Sequence, residues 1–564
     1  MKNFRLRLTY AWPALLVLST TSSAQTLILE RHGAAPTGRF GTSVAALGDI
    51  NGDGAGDWIV GAPRDDTLVT DGGMAVVYSG ATHQPLYTYQ GTGALEELGT
   101  SVAGAQDLTG DGVPDILIGA PGRKRVDVHS GATGLLHYTV QSTSNRFGYH
   151  VAAGGDVDGD GVNDILVGAP GSNIGGSAEV GRLFVLDGPT GAIIRSHDGN
   201  GGLGRFGHSA AFIGDVNGDG RDDYIGGAPG PNYLGPTPYV RTFDGATGAM
   251  LWGDTGAGPH DAFGYSLAAI DDITGDGFPD VLIGDMQDTG VGCGPCHGRG
   301  FVRALSGANG AFIYEIGNQF GGYSGYGWSI AVVGDINGNG YADFAASRPG
   351  TDSCWPGFPV WVRDGLDGSL ILEIPPPSGA GSFGAALAFG DANGDGIGDL
   401  ISGAPCSQPN GSYSGAAYVH TFVREPRTYC ETKLNSLGCA PFIQGVGTPS
   451  ATAFQPFRIK AFNVLSHKPG LLFYGPAPRS MPFQGGRLCV DVPLRRTSVQ
   501  FSGGNPPPTD CSGTYGFDFN HYIRRGVDPT LVAGEEVFAQ YWSRDPSSPS
   551  GTGLTDALGF FIYP

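Results

Sequence analysis

Acidic residues recur along this chain in a short pattern whose spacing suits a divalent cation. The pattern Asp-x-[Asn/Asp/Thr]-Gly-[Asp/Asn]-Gly-x-x-Asp occurs seven times, starting at Asp49, Asp107, Asp156, Asp215, Asp272, Asp335 and Asp391. Side chains at positions 1, 3 and 5 converge if the backbone curls sharply, and glycines at positions 4 and 6 permit that curl. Calcium takes about six to eight oxygen ligands, many of them carboxylates and carbonyls. Each loop is therefore a candidate calcium site.

The candidate side-chain ligands occupy positions 1, 3, 5 and 9 of each loop. In chain order they are Asp49, Asn51, Asp53 and Asp57; Asp107, Thr109, Asp111 and Asp115; Asp156, Asp158, Asp160 and Asp164; Asp215, Asn217, Asp219 and Asp223; Asp272, Thr274, Asp276 and Asp280; Asp335, Asn337, Asn339 and Asp343; and Asp391, Asn393, Asp395 and Asp399. Position 7 would add a backbone carbonyl, from Ala55, Val113, Val162, Arg221, Phe278, Tyr341 and Ile397.

These ligand sets predict up to seven calcium ions. The sixth loop has only two carboxylates, so we expect it to bind most weakly. Magnesium is disfavoured because it tends to keep its waters rather than enter an all-protein cage. The alternative is a plain Asp-Gly hairpin without metal, and the recurrence of the loop in register favours calcium over it.

The same loops explain the acidity of the chain. Their predicted ligand positions contain 21 aspartates, and the formal net charge is −21. A nucleic-acid partner is disfavoured because a phosphate backbone requires a basic protein surface. An anionic membrane surface is disfavoured for the same reason.

The acidic loops belong to a longer repeat that organises residues 26–425. Successive loops start 49 to 63 residues apart, a length that suits one four-stranded blade of a β-propeller. The first copy predicts strand one at 43–47, strand two at 58–61 and strand three at 74–78, and a Ser/Asp-Gly turn then leads to strand four. We therefore predict an all-β protein with a seven-bladed propeller over residues 25–425.

The Ser/Asp-Gly turn occurs in six copies, and the seventh copy leaves the repeat after its third strand. We attribute the turn glycines to the positive φ angles of hairpin turns. A strand-like segment at 26–30 precedes the first copy. It predicts that an N-terminal strand completes the last blade and closes the ring.

The repeats resemble the FG-GAP repeats of integrin α-chain propellers. The Phe-Gly pairs are Phe40-Gly41, Phe147-Gly148, Phe206-Gly207, Phe263-Gly264 and Phe383-Gly384, and Gly-Ala-Pro begins at Gly61, Gly119, Gly168, Gly227 and Gly403. Leu98-Gly99 and Tyr326-Gly327 depart from the first motif, and Gly284-Asp285-Met286 and Ser347-Arg348-Pro349 from the second.

The resemblance implies extracellular, calcium-stabilised binding or adhesion. Every repeat here keeps a calcium motif, whereas integrin α chains keep them in only some repeats. No integrin leg domain, inserted domain or membrane span is evident after the repeats. We therefore expect an exported bacterial relative rather than a cell-surface integrin subunit.

Both ends of the chain predict further segments. Residues 1–24 have a basic start, an apolar stretch and the small residues Ser22-Ser23-Ala24, which indicate a signal peptide and a secreted or cell-surface protein. The apolar stretch is far shorter than the roughly 20 residues of a membrane span. Residues 426–564 alternate apolar and polar positions and predict a small β-sandwich.

The eight cysteines predict disulfides, as expected in an exported protein. Cys430, Cys439, Cys489 and Cys511 predict two bonds within the sandwich, with the pairing open. Cys354 and Cys406 lie in adjacent blades and predict a cross-blade bond. Cys293 and Cys296 predict a disulfide-pinned loop, although their spacing before His297 also matches a thioredoxin-like redox pair and a c-type haem attachment site.

The favoured function is a binding or adhesion module. The variable loops at 64–72, 171–181, 230–239 and 285–300 would lie on the face opposite the calcium loops and recognise an extracellular glycan or surface protein. Two alternatives stay open: a carbohydrate-active enzyme on a propeller scaffold, and a structural surface-coat component. No G-x-S-x-G or H-E-x-x-H motif is present, so we expect no enzyme and name no catalytic residue.

Overall fold

The computed structural model describes residues 25–230, 237–256, 262–286, 300–317, 325–349, 358–422 and 426–563. Seven four-stranded antiparallel sheets are followed by a smaller β domain with one short helix. The predicted fold class, a seven-bladed propeller with a C-terminal sandwich, is confirmed.

Each blade is one antiparallel sheet whose strands follow chain order. Blades one to three consist of β2 (Ser43–Gly48), β3 (Asp57–Ala62), β4 (Met74–Tyr78) and β5 (Pro85–Gln90); β6 (Ser101–Ala105), β7 (Asp115–Ala120), β8 (Arg125–His129) and β9 (Leu136–Gln141); and β10 (His150–Gly155), β11 (Asp164–Ala169), β12 (Arg182–Leu186) and β13 (Ile193–Asp198). Strands one and two are slightly longer than the sequence predicts, and position 9 of the acidic loop is itself the first residue of strand two.

The remaining blades follow the same order until the last. They consist of β14 (Ser209–Gly214), β15 (Asp223–Ala228), β16 (Tyr239–Phe243) and β17 (Met250–Thr255); β18 (Phe263–Ile270), β19 (Asp280–Asp285), β20 (Phe301–Leu305) and β21 (Phe312–Gly317); β22 (Ile330–Gly334), β23 (Asp343–Ala346), β24 (Val360–Arg363) and β25 (Leu370–Ile374); and β26 (Leu387–Gly390), β27 (Asp399–Ala404), β28 (Ala416–Phe422) and the N-terminal β1 (Gln25–His32).

Strand one of every blade contacts strand one of both neighbouring blades, so these strands line the axis of the ring. Strand two is buried along its whole length in every blade, in keeping with its continuous apolar sequence. Strand four is the most exposed strand in blades one to four, as in β5 and β9. The apolar core therefore lies between adjacent sheets, as sheet-on-sheet packing requires.

The N-terminal strand closes the ring as predicted. β1 pairs antiparallel with β28, from Gln25 opposite Phe422 to His32 opposite Ala416. The last blade is thus built from both ends of the repeat region, and its hydrogen bonds hold those ends together.

The Phe-Gly and Gly-Ala-Pro motifs meet between neighbouring blades. A Cβ on Gly61 would lie 2.0 Å from the carbonyl oxygen of Gly99, and a Cβ on Gly403 would lie 2.0 Å from that of Gly41. Gly99 and Gly41 have φ angles of 83° and 88°, which favour glycine. The motifs therefore recur because backbones of adjacent blades approach too closely for a side chain, including across the ring closure.

The C-terminal domain is a β-sandwich. Its larger sheet contains β29 (Arg427–Tyr429), β39 (Thr552–Phe561), β38 (Glu536–Arg544), β32 (Pro469–Gly475), β35 (Arg495–Arg496) and β36 (Gln500–Phe501); the smaller contains β30 (Phe442–Val446), β31 (Arg458–Val464) and β37 (Gly513–Asp518); β33 (Pro478–Phe483) pairs with β34 (Gly486–Val490), and α1 spans Phe519–Arg524. Ile459 and Tyr515 from the smaller sheet share one core with Leu472 and Tyr541 from the larger.

Disulfides join segments of the sandwich that are far apart along the chain. Cys430 bonds to Cys489 and Cys439 bonds to Cys511, so the two bonds expected there are present and their pairing is established. Cys406 in the propeller is also disulfide-bonded. The predicted partner Cys354, and the Cys293, Cys296 and His297 segment, lie outside the described residues.

The sandwich packs against the acidic-loop side of blades six and seven. Phe561 belongs to a core cluster that includes Val333 of blade six and Ile397 of blade seven. Arg427 donates a hydrogen bond of 3.2 Å to the carbonyl oxygen of Asn337, inside the sixth acidic loop. The same guanidinium pairs with Glu536 of the sandwich at 3.2 Å. One side chain therefore bridges the two domains.

Candidate metal-binding site

The acidic loops are sharply curled, as the glycine spacing predicts. In the first loop Gly52 and Gly54 have φ angles of 73° and 91°, and positions 4 and 6 are positive in all seven loops. The carboxylate of Asp49 accepts the backbone N–H groups of Gly52, Asp53 and Gly54 at 2.7, 3.1 and 2.8 Å. The first aspartate therefore holds the turn in place through one carboxylate.

Position 5 turns toward position 7. The N–H of Ala55 donates to Asp53 at 3.0 Å, and the equivalent bond occurs in every loop. In blades one, two and five a turn serine, Ser79 in blade one, also donates to this side chain. The carbonyls of position 7 remain predicted ligands.

The closing aspartate joins the acidic loop to the turn between strands three and four. Asp57 accepts the N–H of Ile50 at 2.9 Å and the N–H of Gly80 at 3.0 Å. The same pair of bonds occurs in blades one to six. These aspartates are almost fully buried, and burial raises the pKa of Asp57, Asp164, Asp223 and Asp343 to about 6.

The turn glycine at this contact has a different role from the one expected. The sequence attributes it to a positive φ angle, but Gly80, Gly188 and Gly365 are not among the positive-φ glycines. A Cβ on Gly188 would lie 1.9 Å from the carbonyl oxygen of Asn163, next to the closing aspartate. Glycine is needed because the acidic loop packs directly on the turn. The later turn glycines, such as Gly191 with φ of 69°, do need the positive angle.

Blade three presents the most compact acidic group. Asp156, Asp158 and Asp164 each place one carboxylate oxygen within 4.8 Å of the others. Two oxygens that both lie about 2.3–2.6 Å from one calcium ion are at most about 5 Å apart, so this group fits that ion. Among the described residues no other group of three acidic, histidine or cysteine side chains meets this spacing. Asp160, the fourth predicted ligand, does not join the group.

Blade six has an acidic residue that the loop pattern does not contain. Asp364, in the turn between β24 and β25, accepts hydrogen bonds of 2.8 Å from the side-chain amides of both Asn337 and Asn339. It therefore brings a third carboxylate to the loop with the fewest. In the sequence this residue is visible only as the aspartate of an Asp-Gly pair, which is typical of a hairpin turn and does not indicate a contact with the acidic loop.

Blade seven lacks the loop-to-turn contact because its fourth strand comes from the N-terminus. Asp399 still accepts the N–H of Ala392 at 2.9 Å, but its other partner is the side-chain amide of Asn393 in the same loop, at 3.3 Å. Burial raises the pKa of Asp399 to about 8. The carboxylates of Asp395 and Asp391 add to that rise.

Comparisons with known proteins identify the same repeats. The model of the FG-GAP repeat matches residues 98–136, 147–186, 326–360 and 383–420, which fall in blades two, three, six and seven. No helix in the described part of the chain has both the length and the apolar character of a membrane span.

Integrin α chains are among the similar proteins. Identity is 32% over 216 residues with integrin alpha-V of Gallus gallus, 34% over 260 residues with integrin alpha-5 of Xenopus laevis, and 34% over 255 residues with integrin alpha-PS2 of Drosophila melanogaster. These alignments cover 35%, 43% and 42% of this chain. They span 20%, 20% and 14% of the relatives, so the similarity concerns a minor part of each integrin chain.

The fold, the repeated loops and these matches define one class of protein. Four segments of the chain are FG-GAP repeats, and the propeller that contains them is similar to part of the integrin α chains. The propeller is joined to a disulfide-bonded β-sandwich.

Proposed function

We propose that this protein is an exported, calcium-stabilised binding or adhesion module rather than an enzyme. It recognises an extracellular glycan or surface protein through the loops opposite the acidic loops. The seven acidic loops stabilise the ring when they hold calcium, with the predicted side chains and the position-7 carbonyls as ligands. The signal-like residues 1–24 direct its export.

The position of the acidic loops carries this proposal. In an antiparallel blade, the loop between strands one and two and the turn between strands three and four lie at the same end. The bonds from the closing aspartates to both segments tie that end together in blades one to six. A divalent ion there would neutralise the carboxylates and reinforce the ring.

The opposite end of the blades supports a recognition role. Its connections between strands two and three vary from the four residues 121–124 in blade two to the 15 residues 286–300 in blade five. Loops of unequal length on a rigid scaffold are a common place for ligand recognition. The integrin α relatives make binding the favoured class over catalysis.

The experiment is an array of glycans and extracellular proteins, probed with the full chain in calcium and again after chelation. We expect binding in calcium that is lost on chelation and restored when calcium is returned. A variant in which residues 171–181 are replaced by a short turn should lose binding. A variant that alters the exposed turn residue Thr190 on the acidic-loop face should keep it. The proposal would be overturned if binding survived chelation, or if the second variant lost binding while the first kept it.

A further inference from the structure

Four aromatic side chains form a curved row beside the innermost strands, on the face opposite the acidic loops. Tyr149, His208, Tyr265 and Trp328 each directly follow the Phe-Gly or Tyr-Gly pair of blades three to six, where the chain enters the innermost strand. Neighbouring ring centroids are 5.2, 4.6 and 4.9 Å apart, at interplanar angles of 51°, 44° and 50°. We call these four residues the aromatic arc. All four are half-buried, and the tilt between rings makes the row curved.

The propeller itself does not require aromatic residues at this position. The equivalent residues in blades seven, one and two are Ala385, Thr42 and Thr100, and those blades form the same four-stranded sheets. The space between blades is already filled by the preceding aromatic residue, such as Phe147, which is fully buried. The packing of the blades therefore does not require the aromatic side chains of the arc, and they are a specific feature of this surface.

Charged groups flank one end of the arc in balanced pairs. Arg146 lies 5.0 Å from the ring centre of Tyr149 and pairs with Glu97 at 3.3 Å. Arg205 pairs with Glu179 at 2.8 Å, and both of these side chains are 40% exposed. Together with Tyr149 and His208, the two arginines and Glu179 line a pocket of about 290 Å³.

This combination matches the chemistry of a sugar. A pyranose ring has an apolar C–H face that packs on an aromatic ring and a rim of hydroxyls that hydrogen-bond to planar side chains. The Arg–Glu pairs offer donors and acceptors with no net charge, and the chain carries a formal charge of −21, which disfavours an anionic ligand. The pocket is at the lower end of the roughly 300–1,000 Å³ of small-molecule sites, so it takes one ring of a longer ligand.

The geometry points to a saccharide site: the aromatic arc and its pocket bind a neutral oligosaccharide. One sugar ring enters the pocket beside Tyr149 and His208, and the following units pack along Tyr265 and Trp328. The indole N–H of Trp328 donates to the carbonyl of Ala385 at 3.0 Å, so this ring is held in place and contributes its apolar surface. The inference rests on the proposed binding function and names its ligand class.

The test uses the full chain in calcium on arrays of neutral gluco-, manno- and galacto-oligosaccharides, with polygalacturonate and heparin as acidic probes. The variants are Tyr149→Ala, Trp328→Ala and the conservative Trp328→Phe. Thr42→Ala changes the equivalent position in blade one, outside the arc, and serves as the matched control. Circular dichroism and the thermal midpoint verify that each variant is folded.

We expect neutral oligosaccharides to bind, with affinity at least tenfold weaker in Tyr149→Ala and Trp328→Ala. Thr42→Ala should bind as the unchanged protein does, and Trp328→Phe should bind within threefold of it. Equal binding by the alanine variants and the control would overturn the saccharide site, as would binding of acidic glycans alone. Binding of a protein ligand unaffected by the arc variants would overturn the site and leave the proposed function standing. Absence of any calcium-dependent ligand would overturn both.

Discussion

The carboxylate of Asp164 accepts a hydrogen bond of 3.1 Å from the backbone N–H of Gly188, which lies 24 residues further along the chain. The same carboxylate accepts the N–H of Val157 at 2.9 Å, within the acidic loop. One buried side chain thus fixes the loop and the neighbouring turn at once. A carboxylate accepting two backbone N–H groups is oriented before any ion arrives, which lowers the cost of organising a metal site.

Gly188→Ala should separate the turn from the acidic loop of blade three. Its Cβ would lie 1.9 Å from the Asn163 carbonyl oxygen, so the two backbones must move apart. We expect a loss of about 1–3 kcal/mol in the free energy of unfolding, the usual cost of overpacking. Urea denaturation measures this change in the free energy of unfolding, and calorimetry provides a second measurement.

Gly317→Ala is the matched control for that substitution. Gly317 has no heavy atom within 4 Å of an added Cβ and is not among the positive-φ glycines. Its unfolding free energy should stay within about 0.5 kcal/mol of the original, as for most surface changes. Equal losses for the two substitutions would contradict the role given to the loop-to-turn contact.

Without calcium, the stability of the protein should decrease as the pH rises. In the chelated protein the closing aspartates have a raised pKa, about 6 for Asp57 and about 8 for Asp399, because they are buried. A group with a raised folded-state pKa stabilises the fold below its unfolded pKa of about 3.9 and loses that contribution as the pH rises through the folded pKa. The thermal midpoint of the chelated protein should therefore decrease as the pH rises from about 4 to about 8.

Calcium should oppose that fall. Calcium binds the deprotonated carboxylates, so its stabilising effect grows as the pH rises over the same range. The midpoints with calcium and with chelator should lie close together near about pH 5 and diverge toward about pH 8. Differential scanning calorimetry across this range is the measurement, and parallel curves would contradict the assignment of these aspartates as ligands.

The repeat allowed most of the fold to be predicted, because seven copies in register place every strand relative to its loop. The closing strand could be inferred from the missing fourth strand of the last copy. The contacts of Asp364 and the close approach at Gly188 could not be predicted in the same way. They depend on how two segments more than 20 residues apart meet in space, which no local spacing encodes. The compact group in blade three lies at predicted positions, but the direction of Asp160 is set by its bond to Val162.

Asp364→Ala should weaken the proposed calcium site of blade six. Asp364 holds the amide groups of Asn337 and Asn339, and in its absence both side chains lose the partner that orients them. The loop would then retain only its two carboxylates, Asp335 and Asp343. We expect the number of ions retained by the dialysed protein, measured by mass spectrometry of the metal, to fall by one.

Asp187→Ala controls for the loss of an acidic turn residue. Asp187 occupies the equivalent turn position in blade three, where its carboxylate accepts the N–H of Thr190 at 2.9 Å within the turn. The retained metal should not change in this variant. If both substitutions removed an ion, the general loss of negative charge would explain the result, and the specific role of Asp364 would be wrong.

Arg427→Ala should loosen the contact between the sandwich and blade six. The guanidinium donates to the carbonyl of Asn337 and pairs with Glu536, so its loss leaves both groups without that partner, while Phe561 still packs on the propeller. We expect faster hydrogen exchange in the sixth acidic loop and in β29, with the other six loops unchanged. Arg427→Lys keeps the charge but has one ammonium instead of a planar fork that reaches two acceptors. It should give an intermediate rate, and Glu536→Gln should affect β29 more than the loop. If the hydrogen-exchange rate of the sixth acidic loop did not change in Arg427→Ala, apolar packing alone would hold the sandwich against the propeller.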